Sequence, residues 1–296
     1  MSPFRSLVCL CLAGTLAACG TGEAPSGEAP AEVLRFSAIP DQNTTQTREK
    51  LAPLIAHLAA ELGVDIEYVA ARDYQAAVEM FKNGDVHLAW FGGLTGVQAR
   101  RAVPGARAIA QGASDPEFRS YFVAHRDSGL EPSDEFPAGI GALSFTFGSE
   151  SSTSGRLMPE HFLRLETGQA PDDLFEQPVG YSGSHDRTLE LVASGQFQAG
   201  AVNYKVYDQR VAEGALDPEV VRVVWTTPPY ADYNWTVHPE LDVRLGEGFG
   251  DRLQEVLVAI DDATLLRALP RERLIPARNE DFEGIREVAE TLGMVR

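Results

Sequence analysis

From residue 33 onward, short apolar runs alternate with longer segments in which apolar residues recur every three or four positions. Residues 33–39 (VLRFSAI) alternate apolar and polar side chains and predict a strand. A helix follows from about Thr45, with Leu51, Leu54, Ile55, Leu58 and Leu62 on one face, and Gly63 stands where such a helix ends. Next come a strand over 64–69, a helix over 74–82 stopped by Asn83-Gly84, and a strand over 86–91 that runs into Gly92-Gly93. Residues 106–110 and 118–124 read as further strands. A second set opens near Gly139. It comprises strands over 140–147, 197–202 and 220–225, and helices over 153–165, 185–193 and 204–212. The tail over 244–294 reads as mostly helical, with Phe249, Leu253, Val256, Leu257 and Ile260 in one stripe.

Strands alternating with helices imply parallel-rich sheets covered on both faces. Two such blocks with a late return to the first predict a two-lobed α/β protein crossed twice at its hinge. The expected division places 33–124 and 225–296 in lobe 1 and 125–224 in lobe 2, with crossings near His125 and Trp225. Ligands of open α/β sheets bind beyond the carboxyl ends of strands, which between two hinged lobes becomes a cleft.

The first nineteen residues follow another pattern. Arg5 gives a basic start, an apolar run covers 7–12, and small residues lead into Leu16-Ala17-Ala18-Cys19. This is the layout of a secretory signal peptide, and the run is too short to span a bilayer. Its last four residues match a bacterial lipobox, in which the Cys19 sulfur carries diacylglycerol; cleavage near Ala18 with Cys19 incidental is the plainer alternative. All three cysteines, Cys9, Cys11 and Cys19, lie here, so processing leaves Cys19 alone and the body without a disulfide. Residues 20–32 (GTGEAPSGEAPAE) carry no large apolar side chain and read as a flexible tether. The expected location is the periplasm or cell surface, with membrane attachment through the lipid.

The formal net charge of −18 falls to −19 when Arg5 leaves with the signal. Such a surface argues against nucleic acid and against a basic membrane-binding patch. It leaves room for an anionic ligand, because hydrogen-bond donors and helix starts act locally.

The strongest chemical signal is Ser149-Glu150-Ser151-Ser152-Thr153-Ser154-Gly155, between a strand and a helix. A helix start leaves backbone N–H groups without partners and carries partial positive charge. Hydroxyls of Ser152, Thr153 and Ser154 beside Gly155 would complete a neutral cradle for a tetrahedral oxyanion. Capping the helix needs only one of them. A second candidate is Tyr181-Ser182-Gly183-Ser184-His185-Asp186, where His185 can donate to an anion or stand at the surface. In the third, Phe91-Gly92-Gly93, paired glycines let backbone amides approach a ligand, or merely make a tight turn. Asp73-Tyr74 and the loop with Tyr230, Asp232 and Tyr233 can line a cleft or form surface turns. Asn234-Trp235-Thr236 matches a glycosylation sequon, discounted in a bacterial-type lipoprotein. The six histidines are scattered, and neither a Gly-Lys phosphate loop nor a Gly-x-Ser-x-Gly elbow occurs, so no metal or cofactor is expected.

Ser152-Thr153-Ser154-Gly155, with His185-Asp186 about thirty positions on and Asp73-Tyr74 upstream, resembles the phosphonate/phosphite-type periplasmic binding proteins of ABC transporters. Ile39-Pro40-Asp41-Gln42-Asn43, Leu88 to Gly93, Val97-Gln98-Ala99-Arg100-Arg101 and Ser151 to Pro159 look like the selenate-binding branch. The resemblance implies a type II periplasmic-binding fold, two Rossmann-like lobes closing over a small oxyanion that is selenate-like, phosphite or a phosphonate. It implies permease and ATPase partners, a monomer, and no enzymatic activity. It puts Ser152, Thr153, Ser154 and His185 on the oxyanion, faced by Tyr74 and the Gly92-Gly93 loop. Phosphonate binders present a tyrosine where this chain offers Ser120 or Tyr121, and Asp232 matches a late acidic residue of the family. Asp73, Asp186 and Asp232 are the carboxylates that would accept from a protonated ligand and repel a fully ionised one.

Two rival functions remain on sequence grounds. An exported Ser/His hydrolase would need Asp186 to orient His185, and neighbours on one helix point in different directions. A sensory subunit would bind the same anion and signal to a membrane partner.

Overall fold

The computed structural model describes residues 33–42 and 44–295. The expected signal peptide, Cys19 and the tether lie outside the described residues. The chain runs through β1 (Leu34–Ala38), α1 (Thr44–Leu62), β2 (Ile66–Tyr68), α2 (Tyr74–Lys82), β3 (Leu88–Phe91), α3 (Gly93–Ala102) and β4 (Arg107–Gly112). It continues through β5 (Ser120–His125), β6 (Phe145–Phe147), α4 (Met158–Thr167), α5 (Pro171–Leu174), β7 (Gly180–Tyr181), α6 (His185–Ala193), β8 (Ala199–Asn203), α7 (Tyr204–Ala212) and β9 (Val221–Thr226). It closes with β10 (Asn234–Val237), α8 (Glu240–Leu245), α9 (Phe249–Val258), β11 (Leu274–Pro276) and α10 (Glu283–Thr291).

Two sheets result. The first has the order β11-β4-β10-β3-β1-β2 and the second β7-β6-β8-β5-β9. β1 lies parallel between β2 and β3, and β10 lies antiparallel between β3 and β4. All four residues of β3 are buried, because helices cover both faces of a parallel-cored sheet. Trp235 of β10 packs its ring on Phe36 of β1 at 5.7 Å and on Trp90 of β3 at 5.3 Å, at the centre of this core. In the second sheet β6 lies parallel to β7 and β8, and β5 lies antiparallel between β8 and β9.

This pairing corrects the expected lobe boundaries. The sequence places residues 118–124 in the first lobe, but β5 lies between β8 and β9 in the second sheet, and the crossing expected near Trp225 moves past the end of β9. Apolar alternation defines a strand but carries no information on which sheet it joins. The crossings therefore fall at 113–119 and 227–233. There Phe118 and Tyr230 exchange backbone hydrogen bonds, Phe118 N donating at 2.8 Å and Tyr230 N at 3.0 Å. β11 within the tail was not foreseen, and the expected strand over 140–147 begins instead as a 3-10 turn, Ala138–Ala142.

Beside the crossings Arg271 Nε donates to both oxygens of Asp115, at 2.7 and 3.0 Å, with both side chains buried. The Arg271 guanidinium lies 4.7 Å from the Tyr233 ring centre.

Candidate functional site

After β6 the chain passes through Gly148 into a wide helical turn, Thr153–Leu157, before α4 begins. Leu157 N donates five residues back to Ser152 O at 2.9 Å, which is π rather than α geometry. Such turns are rare and cluster at functional sites. The Ser152 Oγ accepts from Gly155 N at 2.9 Å, so this hydroxyl is the cap, and its proton stays available for another acceptor. The amides of Thr153 and Ser154 open the turn with no preceding turn to receive them. Ser152, Thr153 and Ser154 are all buried, so their donors stand in a medium where each hydrogen bond counts for more than in water. Gly155 serves packing: a Cβ there would sit 3.1 Å from Gly148 Cα and 3.2 Å from the His185 ring.

His185 is the first residue of α6, capped by Ser184, whose Oγ accepts from Arg187 N at 3.3 Å. Its Nδ1 accepts from Asn203 N at 3.3 Å, which places the proton on Nε2, 3.5 Å from Ser154 Oγ. Burial pulls its pKa down to about 3, so the ring acts as a neutral N–H donor at pH 7.

The first sheet closes the other side. Leu94 N, in the first turn of α3, donates to Thr153 Oγ1 at 3.0 Å. A Cβ on Gly92 would lie 3.0 Å from Thr153 Oγ1 and 3.2 Å from Asp232 Oδ1, so this approach requires glycine. Gly93 N and Tyr233 N donate to Asp232 Oδ1 at 2.8 and 3.0 Å. Asp232 Oδ2 is buried with no protein hydrogen bond. Burial pushes this carboxyl up to about 7, against the lowering exerted by Gly93 N–H, the Thr153 hydroxyl and Arg271. The Tyr74 side chain is buried at the start of α2, and its hydroxyl lies beside Ser152 without an aligned hydrogen bond.

Tyr74, Gly92, Gly93, Ser152, Thr153, Ser154, His185 and Asp232 thus converge on one enclosed polar spot between the sheets. Three expected residues sit elsewhere. Ser120 Oγ donates to Ser154 O at 2.7 Å and meets Tyr230 Oη at 2.5 Å, so it braces the turn from behind on the second sheet, not the first. Phe91 points into the core against Phe81, 5.5 Å between ring centres, because successive strand residues face opposite ways. Gly155, as above, is a spacer. Of the other two candidate carboxylates, Asp73 caps α2 by accepting from Ala76 N at 2.7 Å, and Asp186 accepts from Arg210 Nη1 at 2.7 Å. His185 therefore has an amide, not a carboxylate, on Nδ1, and a hydrolytic triad is not assembled.

The structure adds the side chains of Asp41 and Asn203, and it gives Tyr233, one of the expected cleft-lining residues, a bridging role between them. The Tyr233 hydroxyl donates to Asp41 Oδ2 at 2.8 Å and accepts from Asn203 Nδ2 at 2.9 Å, while His185 N donates to Asp41 O at 3.1 Å. This relay ties the loop after β1 to the second sheet, and burial pushes the Asp41 carboxyl up to about 6. Asn203 carries the ordinary signal of an N-cap, its Oδ1 accepting from Lys205 N at 2.8 Å, and nothing in its position marks the second role.

Two α/β sheets joined by paired crossings, meeting over enclosed hydroxyl, amide and imidazole donors, define a two-lobed solute-binding protein. The chain belongs to the family described as ABC transporter, phosphonate, periplasmic substrate-binding protein, whose profile matches residues 36–282. The probable ABC transporter phosphite binding protein PhnD1 of Prochlorococcus marinus is 37% identical over 272 residues, covering 90% of this chain and 91% of that protein. The phosphate-import protein PhnD of Mycolicibacterium smegmatis is 26% identical over 308 residues, covering 96% and 94%. The solved structure of Prochlorococcus marinus PhnD1 in complex with methylphosphonate superposes with a TM-score of 0.83, covering 89% of this chain and 99% of that one. The chain is a binding protein rather than an enzyme. No helix among the described residues is long and apolar enough to cross a membrane.

Proposed function

We propose that this chain captures hydrogen phosphite or a small phosphonate monoanion between its two lobes, closes over it, and delivers it to the permease and ATPase of an ABC importer. Ser152, Thr153 and Ser154 supply hydroxyl and amide donors, His185 Nε2–H adds a neutral donor, and Tyr74 with the Gly92-Gly93 turn faces them from the first lobe. The protein works as a monomer, held at the membrane by a lipid on Cys19, in keeping with Leu16-Ala17-Ala18-Cys19. The relatives named for phosphite and crystallised with methylphosphonate support this ligand class.

The observation that carries the reading is Asp232. Its Oδ2 is buried beside the Ser-Thr turn with no protein partner. An anion that still bears an O–H satisfies that oxygen while Asp232 is ionised, whereas fully ionised selenate or sulfate is accepted only after the carboxyl has taken up a proton itself. Selenate therefore ranks below phosphite and methylphosphonate. A thermal-shift panel of phosphite, methylphosphonate, phosphate, selenate and sulfate tests this. A ligand at 100 times its dissociation constant stabilises the fold by about 2.7 kcal/mol, so the first two should raise the melting temperature most. A response to selenate and sulfate alone would overturn the reading. Fractionation of cells expressing Cys19→Ser tests the anchor, which predicts release from the membrane pellet.

A further inference from the structure

Arg100 stands out as a mostly buried cation that forms no ion pair with a carboxylate among the described residues. It belongs to α3, whose first residues, Gly93 and Leu94, face the site. Its Nη1 donates to Asn234 Oδ1 and to Thr236 Oγ1, both at 3.0 Å, and Thr236 Oγ1 donates to the same Asn234 oxygen at 2.7 Å. Asn234 and Thr236 are two apart on β10, hence on one face, and both are buried, so the sequon-like spacing serves this purpose. With two donors on Oδ1, the Asn234 amide can present only its NH2 elsewhere, and Nδ2 reaches Gly92 O at 3.4 Å. Gly92 O also receives Gly96 N at 2.8 Å and Thr95 Oγ1 at 3.2 Å. Gly96 is open for this network, since a Cβ there would lie 2.7 Å from Asn234 Oδ1 and 2.8 Å from Arg100 Nη1.

We propose that Arg100 is a positioning residue of the oxyanion site, orienting Asn234 and through it the Gly92-Gly93 turn, whose Gly93 and Leu94 amides in turn hold Asp232 and Thr153 in place. The inference rests on the anion site proposed above. Burial lowers the guanidinium to about 10, which leaves it charged at pH 7. A charge with no carboxylate beside it acts over a longer range in a low-dielectric interior than one already paired. Arg100 Nη2 is buried without a partner, and its guanidinium lies 4.9 Å from the Phe282 ring centre. A residue serving stability alone gains nothing from such an arrangement, because a methionine would fill the same space with no charge to desolvate.

The test compares Arg100→Met, Arg100→Lys and Asn234→Asp with the parent protein, reading methylphosphonate and phosphite affinity by calorimetry, ligand-free melting temperature, and the Gly93 amide resonance by NMR. Asn234→Asp is nearly isosteric, gives Arg100 a carboxylate and removes the donor to Gly92 O, so it keeps the test open if Arg100→Met does not fold. Arg100→Met and Asn234→Asp should each weaken binding by about tenfold or more and move the Gly93 resonance, with Arg100→Lys recovering part of the loss. The folded variants binding both anions within twofold of the parent, with Gly93 unmoved, would overturn the assignment. A parent protein that binds neither anion would instead overturn the ligand reading on which it stands.

Discussion

Thr153 Oγ1, on the second lobe, accepts a hydrogen bond from the Leu94 amide on the first at 3.0 Å, with both groups buried. The bond joins the oxyanion turn to the start of α3, so it exists only while the lobes are together. Thr153→Val keeps the shape and leaves Leu94 N–H without its acceptor. Methylphosphonate affinity should fall by about 1–3 kcal/mol, read by calorimetry, while the ligand-free melting temperature changes far less. Unaltered affinity would remove Thr153 from the site.

On the proposed reading, Asp232 should make binding proton-linked. Its carboxyl is raised to about 7, and phosphite and methylphosphonate lose their second proton near neutrality, so the complex should hold one proton between ligand and carboxylate. Above that range both partners ionise, and binding must take up a proton. Affinity should decline by up to about tenfold per pH unit on the alkaline side, and Asp232→Asn should flatten that limb. An identical pH profile in the two proteins would refute the linkage.

The same shift bears on stability without ligand. A carboxyl raised on folding binds its proton more tightly in the native state, so its contribution weakens as pH climbs from about 4 through 7. Asp232→Asn escapes that loss. Urea midpoints at pH 5 and pH 8 should show the variant gaining on the parent by about 2–4 kcal/mol across the interval.

His185 behaves in the opposite sense. Its pKa is depressed to about 3, so the ring should show no titration between pH 5 and 8 and should carry its proton on Nε2. Nitrogen-detected NMR reads both. His185→Phe should weaken anion binding by about 1–3 kcal/mol, whereas a retained affinity would leave the ring a packing role.

Part of this arrangement was legible in the chain and part was not. The Ser152-Thr153-Ser154 turn stood out because strand, hydroxyl cluster and helix follow one another locally, and His185 marked the next helix start. Asp232, Tyr74 and the Gly92-Gly93 turn came through family resemblance more than through pattern. Phe91 was misplaced because adjacency to Gly92 says nothing about which face of a strand a side chain takes. The relay of Asp41, Asn203 and Tyr233 comes from three distant segments, each with an ordinary local reading, and only the folded chain brings them together. The sheet membership of β5 was unreadable for the same reason, since antiparallel pairing with β9 joins residues about a hundred positions apart.

Asp115 and Arg271 form the buried ion pair beside the crossings. Asp115→Ala should cost about 3–5 kcal/mol in urea unfolding, because Arg271 would be left charged and enclosed without its partner. A loss below about 1 kcal/mol would mean that water reaches the guanidinium.

Because Phe118 and Tyr230 grip each other in both directions, the two connecting segments form a flat ribbon instead of two independent threads. A ribbon folds readily across its width and resists sideways slip, so the lobe movement proposed above would part the halves of the molecule like the covers of a book along one spine. Arg72, Asp73, Tyr74, Ser149, Glu150, Ser151, Tyr181 and Gly183 line a groove of about 390 Å³ beside the Ser152–Gly155 turn, and on the proposed reading this groove is the doorway for an incoming solute.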